Sequence, residues 1–559
     1  MHDLVIRNAQ LYDGLGAPSR HGDLAVSGGR IAAIGAGVGA AREVVDARGL
    51  ALAPGIIDNH THYDAQVTWD PDLAASSALG VTTAIIGNCG FTIAPCRPAD
   101  RDLTMRNLTN VEGMSIEALR AGIRWEFESF PDYLRAIERP GLGLNVAAFV
   151  GHSGVRTFVM REDAPRRAAT PEEIAQMRAI VVAGMQAGAI GFATSTSPAH
   201  NGDGGIPMPS RLADEAELFA LTGALGEAGR GVFMLTKGGQ TRIEFLEEIA
   251  ARSGRPVVVA ALLHSSTNPD AVFRDLDLIG AARERGRKLV GAISCCPLTM
   301  DFTLAAPYPF EGLAAWQPAL GQKGEAFKRV IADRAFRDAI RAELARPATF
   351  RLFNGEWDRV LVVECARPEH RALENQSLAQ IGTAQGKHPL DALLDLALAE
   401  GLETVFAALL LNAEEDAVQR LVTHPHSLVS LSDAGAHLTF FNDAGFGLHL
   451  LGHWVRERGA LSVEAAIRKL TSEPAAVFGI PDRGWLEAGC AADLMLFDPA
   501  TVGRGPKERR FDLPAGAARL MTPAVGLHGV WVNGQRVVDE KGPLAAPPRA
   551  GKLLREFVA

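Results

Sequence analysis

Between Pro54 and about residue 265 the chain repeats one rhythm, a short apolar run followed by a stretch with apolar residues at helical spacing. That is the pattern of a parallel sheet wrapped by helices. The apolar runs predict strands over 53–57, 82–87, 144–150, 189–194, 231–235 and 256–263. Two later runs, 288–293 and 427–431, raise the number to eight, which closes a barrel. Thr170-Pro171-Glu172-Glu173 supplies the cap, first-turn proline and early acids of a helix reaching residue 187, and a second helix is predicted over 214–228.

The two ends of the chain follow a different rhythm. Residues 1 to about 50 read as strands over 4–12, 23–26 and 30–34, with turns at Asp13-Gly14 and Gly28-Gly29. Gly35-Ala36-Gly37-Val38-Gly39 has the glycine spacing of a dinucleotide loop, but Glu43-Val44-Val45-Asp46 and a turn follow it instead of a helix, so it is a loop between strands. After a helix-rich segment, 462–478, the tail returns to strands at 492–497 and 529–538, with Asn533-Gly534 as a hairpin turn. The expected fold is therefore α/β. A (β/α)8 TIM-like barrel over 53–483 stands beside a small β-sandwich domain built from both chain ends, 1–52 plus 484–559. An excursion over about 296–420 interrupts the alternation late in the barrel and reads as a lid or a homo-oligomer contact.

At 559 residues the chain accommodates a barrel and a smaller domain, and 47% hydrophobic against 22% charged residues is the balance of a folded globular protein. The net charge of −9 comes from 56 basic and 65 acidic residues with no basic stripe, which disfavours nucleic acid and anionic membrane and leaves a small molecule as the expected partner. The first residues lack the features of a signal peptide and no apolar run approaches the ~20 residues of a membrane span, so a cytoplasmic location is expected. The six cysteines (Cys89, Cys96, Cys295, Cys296, Cys365 and Cys490) have neither the density nor the spacing of a disulfide framework and read as reduced thiols.

The candidate chemistry gathers at strand ends. An apolar run leads into His60-Thr61-His62, whose i, i+2 spacing points two imidazoles to one face of an extended backbone, able to grip one ion. The second predicted strand ends in Asn88-Cys89-Gly90, where a thiolate can bridge metal ions. Later ones end in Gly151-His152-Ser153, Thr236-Lys237, His264-Ser265 and Ser432-Asp433, with His437 close behind. Asp433 meets the requirement for a general base at a hydrolytic metal site. His424 and His426 read as loop histidines.

The stretch Pro54-Gly55-Ile56-Ile57-Asp58-Asn59-His60-Thr61-His62, with Gly87-Asn88-Cys89-Gly90, Val150-Gly151-His152-Ser153, Gly191-Phe192-Ala193-Thr194, His264 and Ser432-Asp433, resembles the metal-dependent amidohydrolase superfamily, and within it the D-aminoacylases. The ends, Asp3-Leu4-Val5-Ile6-Arg7-Asn8 and residues 486–498, are similar to the sequences of that family's split β-sandwich. The resemblance implies zinc or another divalent transition metal, one or two ions. His60, His62 and Asp433 would surround one site, with Cys89 reaching towards a second that His264 completes. Where relatives place a histidine after the fifth strand, this chain has Lys237: either it is carboxylated and ligates through oxygen, or it stays a cation beside a weakened second site. The arginine that D-aminoacylases direct at the substrate carboxylate has no counterpart in residues 436–443.

The reaction so implied is hydrolysis of a C–N amide bond, deacylation of an N-acyl-D-amino acid, with Asp433 as general base. His152 and Lys237 are the candidates for holding an oxyanion or a carboxylate, and Ser153 and His437 are further substrate-binding candidates. A cyclic amide or carbamate hydrolase is the alternative substrate class. A non-catalytic scaffold is the third reading, opposed by the retention of polar groups that are expensive to bury.

Overall fold

The computed structural model describes residues 1–348, 351–441 and 443–558. Eight strands form one parallel sheet whose spatial order is the chain order. They are β1 (Ile56–Asp58), β2 (Val81–Ile86), β3 (Asn145–Gly151), β4 (Gly191–Ser195), β5 (Val232–Thr236), β6 (Val257–Ala260), β7 (Leu289–Ile293) and β8 (Ser427–Val429). Every residue of these strands is buried, because side chains fill the barrel on one face and meet helices on the other, which is why they read as unbroken apolar runs. The ring closes just beyond β1 and β8. There Thr61–His62 pairs in parallel with Ala434–Gly435, Asp433 N donates to His60 O at 3.2 Å, and Asn59 Nδ2 donates to Val429 O at 2.9 Å.

Helices Pro171–Ala187, Glu215–Ala228, Ile243–Ser253 and Ala271–Glu284 cover the outside. The cap expected at Thr170 is present: its hydroxyl accepts from Glu173 N while the Glu173 carboxylate accepts from Thr170 N.

Both chain ends enter one nine-stranded sheet. Ala51–Pro54 lies between the N-terminal strand His2–Leu11 and Leu494–Phe497, pairing antiparallel with the latter. The segment over 35–39 is a loop between the strands Arg30–Gly35 and Ala41–Asp46. The late excursion forms a three-stranded antiparallel sheet (Leu298–Phe302, Val360–Glu364 and Val405–Leu411) with its own core, in which Phe310, Trp316, Phe336, Trp357 and Phe406 are buried. Among the described residues no helix is long and apolar enough to cross a membrane.

Sheet and barrel are joined by a buried polar knot at the start of β3. Asn145 Nδ2 donates to Asp493 Oδ2 at 3.0 Å, Asn533 Nδ2 donates to Asn145 Oδ1 at 2.8 Å, and Arg483 pairs with Asp493. Removing one partner of such a pair strands a charge without solvent, which costs about 3–5 kcal/mol. Asp493→Ala should therefore lower the denaturation midpoint of the whole chain; a midpoint equal to that of the wild type would show that the knot carries no stability.

Candidate active site

The first two imidazoles are placed by barrel closure. β1 runs out at Asp58, and the chain stays extended through Thr61–His62 because Ala434–Gly435 pairs with it, so His60 and His62 project to one side. From the next strand comes Cys89, set in a left-handed backbone (φ 57°) between two positive-φ glycines. A Cβ at Gly90 would come 2.7 Å from Ala193 O, so only glycine permits this turn against β4. Asp433 (φ 48°) is also left-handed, a conformation that costs a side-chain-bearing residue about 1–3 kcal/mol and is kept where surrounding bonds impose it. Here the bonds across the closure, including Ser432 Oγ to His60 O at 3.1 Å, impose it.

Four donor atoms converge. His60 Nε2 lies 3.4 Å from Asp433 Oδ1 and 3.5 Å from Cys89 Sγ, and His62 Nε2 lies 3.6 Å and 4.0 Å from the same two atoms. Ligands at zinc distances of about 2.0–2.3 Å in a tetrahedron stand about 3.5 Å from one another, so the set has the dimensions and the N, S, O chemistry of a zinc site. Behind it, His62 Nδ1–H donates to Glu112 Oε1 at 3.2 Å, which aims the Nε2 lone pair at the group. His437 packs edge-on against His62 with ring centres 4.1 Å apart, its Nε2 3.7 Å from Glu112 Oε2. Thr236 Oγ1 is 3.1 Å from Cys89 Sγ.

Burial pushes His60 down to about 3 against the pull of Asp433, so its ring is neutral and ready to ligate. Burial also lowers His62, but the Glu112 charge and the bonds to Asp433, Cys89 and Glu112 outweigh it and raise this ring well above its usual value. Burial raises the Cys89 thiol. Asp433 is held below the ordinary carboxylate range: burial works against ionisation, and the His62 bond with the nearby His60 and His437 overcomes it. The Asp433 side chain keeps 17% exposure against 4% for His60 and 1% for His62, so the carboxylate faces the cavity more openly than either ring.

That cavity, about 410 Å³, opens from the four donors towards the three-stranded sheet of the excursion and is lined by six leucines together with polar residues that include His200, Ser265, Asn268 and Asp275. His437, Thr236 and Lys237 lie on its wall. Three sequence expectations need correction. His264 is not at the centre: β6 ends at Ala260, Leu262 and Leu263 take the wall, and the His264 ring sits by Phe273 in the field of Glu414, Arg420 and Arg359. Lys237 stands apart from the grouped donors as the cation alternative, its Nζ donating to Asp275 Oδ2 at 2.9 Å. His152 is fully buried outside the cavity, Nδ1 to Thr194 Oγ1 and Nε2 to Glu217 Oε1, both at 2.7 Å, where it serves packing rather than substrate. Ser153, likewise off the cavity, accepts from Ser210 N at 3.3 Å. Within the strand-8 loop, Asn442 lies outside the described residues.

Two site residues escaped the sequence reading. Glu112 ends a helix in the long β2–β3 connection and carries no local signal. His200, on the cavity wall with Nδ1 2.6 Å from Ser195 Oγ, follows β4 by five residues and was open to the same strand-end reasoning that found Asp433.

A sequence profile described as the Amidohydrolase family matches residues 43–294 and 348–538. The N-acyl-D-aspartate deacylase of Alcaligenes xylosoxydans xylosoxydans is 31% identical over 99% of this chain and 95% of its own length, and the D-aminoacylase of the same organism is 30% identical over 100% and 98%. Among solved structures, the N-acyl-D-glutamate deacylase of Bordetella bronchiseptica, complexed with zinc and a phosphonate mimic of the tetrahedral intermediate, superposes with a TM-score of 0.70 at 27% identity over 99% of this chain and 100% of that one. Likeness along the whole length, together with a donor set at the ends of β1, β2 and β8, places the chain in the amidohydrolase family.

Proposed function

We propose that the protein is a zinc-dependent hydrolase that deacylates N-acyl-D-amino acids, cleaving a C–N amide bond. The observation that carries this is the convergence of His60, His62, Cys89 and Asp433 at the head of a cavity. The deacylase activities of the full-length relatives, and the zinc and phosphonate bound by one of them, support the reading.

His60, His62 and Cys89 would hold the ion with Asp433 alongside, leaving a coordination position open, and the ion would supply a lowered pKa for water and polarisation of the amide carbonyl. Asp433, ionised and facing the cavity, takes a proton from the water that attacks the carbonyl carbon. The acid so formed then returns that proton to the amine nitrogen as the C–N bond breaks. Glu112 keeps His62 in the tautomer that presents Nε2.

Asp433→Asn should fold and lose kcat by roughly 10²-fold or more, since asparagine keeps the shape and cannot take the proton. Activity within a few-fold of wild type would move the base elsewhere, with His437 and His200 the neighbours to test.

Zinc uptake should release protons. Cys89 and His62 both have raised pKa values, so near neutrality both hold protons that a ligand must give up, and the apparent affinity should rise with pH. Calorimetry in buffers of different ionisation enthalpy measures this directly; an affinity independent of pH between 6 and 8 would remove Cys89 and His62 from the ligand set.

A further inference from the structure

On one side the donor cavity is bounded by His437, Phe441, Tyr308 and Met300. Phe440 joins three of these into a stack, its ring centre 5.2 Å from His437, 4.4 Å from Phe441 and 5.8 Å from Tyr308. The stack is not backed by solid protein. A second cavity of about 780 Å³ adjoins it, and Tyr308 and Met300 line both cavities, with Phe440 on the wall of the second. A side chain with empty space at its back loses the contacts that would fix it from there, so the position of this wall has to come from specific bonds.

Those bonds lead out of the barrel. Asp301 N donates to Phe440 O at 3.0 Å, which ties the strand-8 loop to the strand Leu298–Phe302 of the excursion. The Asp301 carboxylate is buried, and each of its oxygens takes a cation from elsewhere in the chain, Lys507 Nζ at Oδ1 and Arg509 NH2 at Oδ2, the latter at 3.3 Å. Both cations sit on an arm, residues 503–525, inserted between two neighbouring strands of the terminal sheet, Leu494–Phe497 and Leu527–Val532. Within the arm Gly503–Arg504 pairs with Ala524–Val525 and Glu508–Arg510 with Arg519–Met521. Two further ion pairs hold it to the barrel, Arg504 to Asp443 at 3.4 Å and Arg519 to Asp70 at 3.8 Å. A carboxylate buried on a strand is costly unless it is paired, so the first strand of the excursion packs at this depth because the arm is there.

We propose that Asp301 is a positioning residue for substrate binding, through which the terminal sheet acts on the active site: clamped by Lys507 and Arg509, it holds Phe440, and through Phe440 the His437, Phe441 and Tyr308 wall of the donor cavity. His437 in turn packs on His62 with ring centres 4.1 Å apart, so the chain of contacts runs from the arm to the donor group without a gap. Only the kinetic half of the test rests on the amide-hydrolase reading above.

The test compares the zinc-loaded full chain with its Asp301→Asn variant, which keeps the shape and the backbone bond to Phe440 and removes the charge. Two readouts are taken, steady-state kinetics on a set of N-acetyl-D-amino acids and hydrogen–deuterium exchange followed by mass spectrometry. KM should rise roughly 2- to 30-fold, the range for changes that act on a site through intervening residues, with kcat within a few-fold and zinc content unchanged. Exchange should quicken over 298–302 and 436–441. The double variant Lys507→Met, Arg509→Met, altered at partly exposed positions, should do the same, and adding Asp301→Asn to it should raise KM no further, because the three side chains act as one unit. Lys507→Arg conserves the charge and should hold the wild-type KM. A merely structural ion pair would lower the denaturation midpoint of Asp301→Asn and leave KM and the exchange at 436–441 as in the wild type, and that pattern overturns the proposal. So does a loss of kcat at unchanged KM, which would place the effect on the chemistry instead of on binding. If the wild type turns over none of the N-acetyl-D-amino acids, the amide-hydrolase reading falls, and exchange at 436–441 alone decides for or against the clamp.

Discussion

The site depends on how the barrel closes. β1 and β8 meet through few bonds of their own, and the seam is made just past their ends by Thr61–His62 against Ala434–Gly435, with Asp433 N on His60 O. Those same residues carry the imidazoles and the carboxylate. Closing the ring and assembling the donor set are thus one event, and it joins positions more than 370 residues apart in the chain. The left-handed backbone at Asp433 follows from this double duty: the peptide is bent to satisfy the seam, and the side chain is thereby delivered to the two rings.

Around that seam the molecule is stiff where chemistry needs it. Glu112 braces His62 from behind, Thr236 rests on Cys89, and Asp64 accepts from Gly87 N at 2.9 Å to hold the turn that presents the thiol. Burial raises Asp64 to about 8 and Asp58 to about 7, well above the ordinary carboxylate range, which weakens the negative field of these two acids beside the histidines.

Much of this was legible in the residues. Eight apolar runs became eight strands because both faces of each are buried, and a run needs no partner to be recognised. His60, His62, Cys89 and Asp433 stood out as polar residues arriving straight after such runs. The same logic failed at His264 for a physical reason. Ala261-Leu262-Leu263 is apolar because it walls a cavity, and in one dimension a cavity wall prolongs a strand, so the predicted strand overran Ala260 and carried His264 to the wrong place. Between the two alternatives at Lys237 the residues alone could not choose, because its partner, Asp275, lies 38 positions away and nothing local announces the pair. Glu112 was out of reach for the same reason, a buried acid whose purpose exists only once the barrel has brought His62 to it.

The pairing of Ala51–Pro54 with Leu494–Phe497 also bears on how the molecule is made. A ribosome adding about 5–20 residues per second leaves an interval on the order of 20–90 s between the two strands. Throughout it, the inner strand of the terminal sheet is a bare edge on a nascent chain, able to pair with any extended segment nearby. Barrel closure itself waits for Ala434–Gly435, so for most of that interval the vulnerable species is an unclosed barrel trailing half a sheet, and chaperone demand should fall on both until the last strands are made.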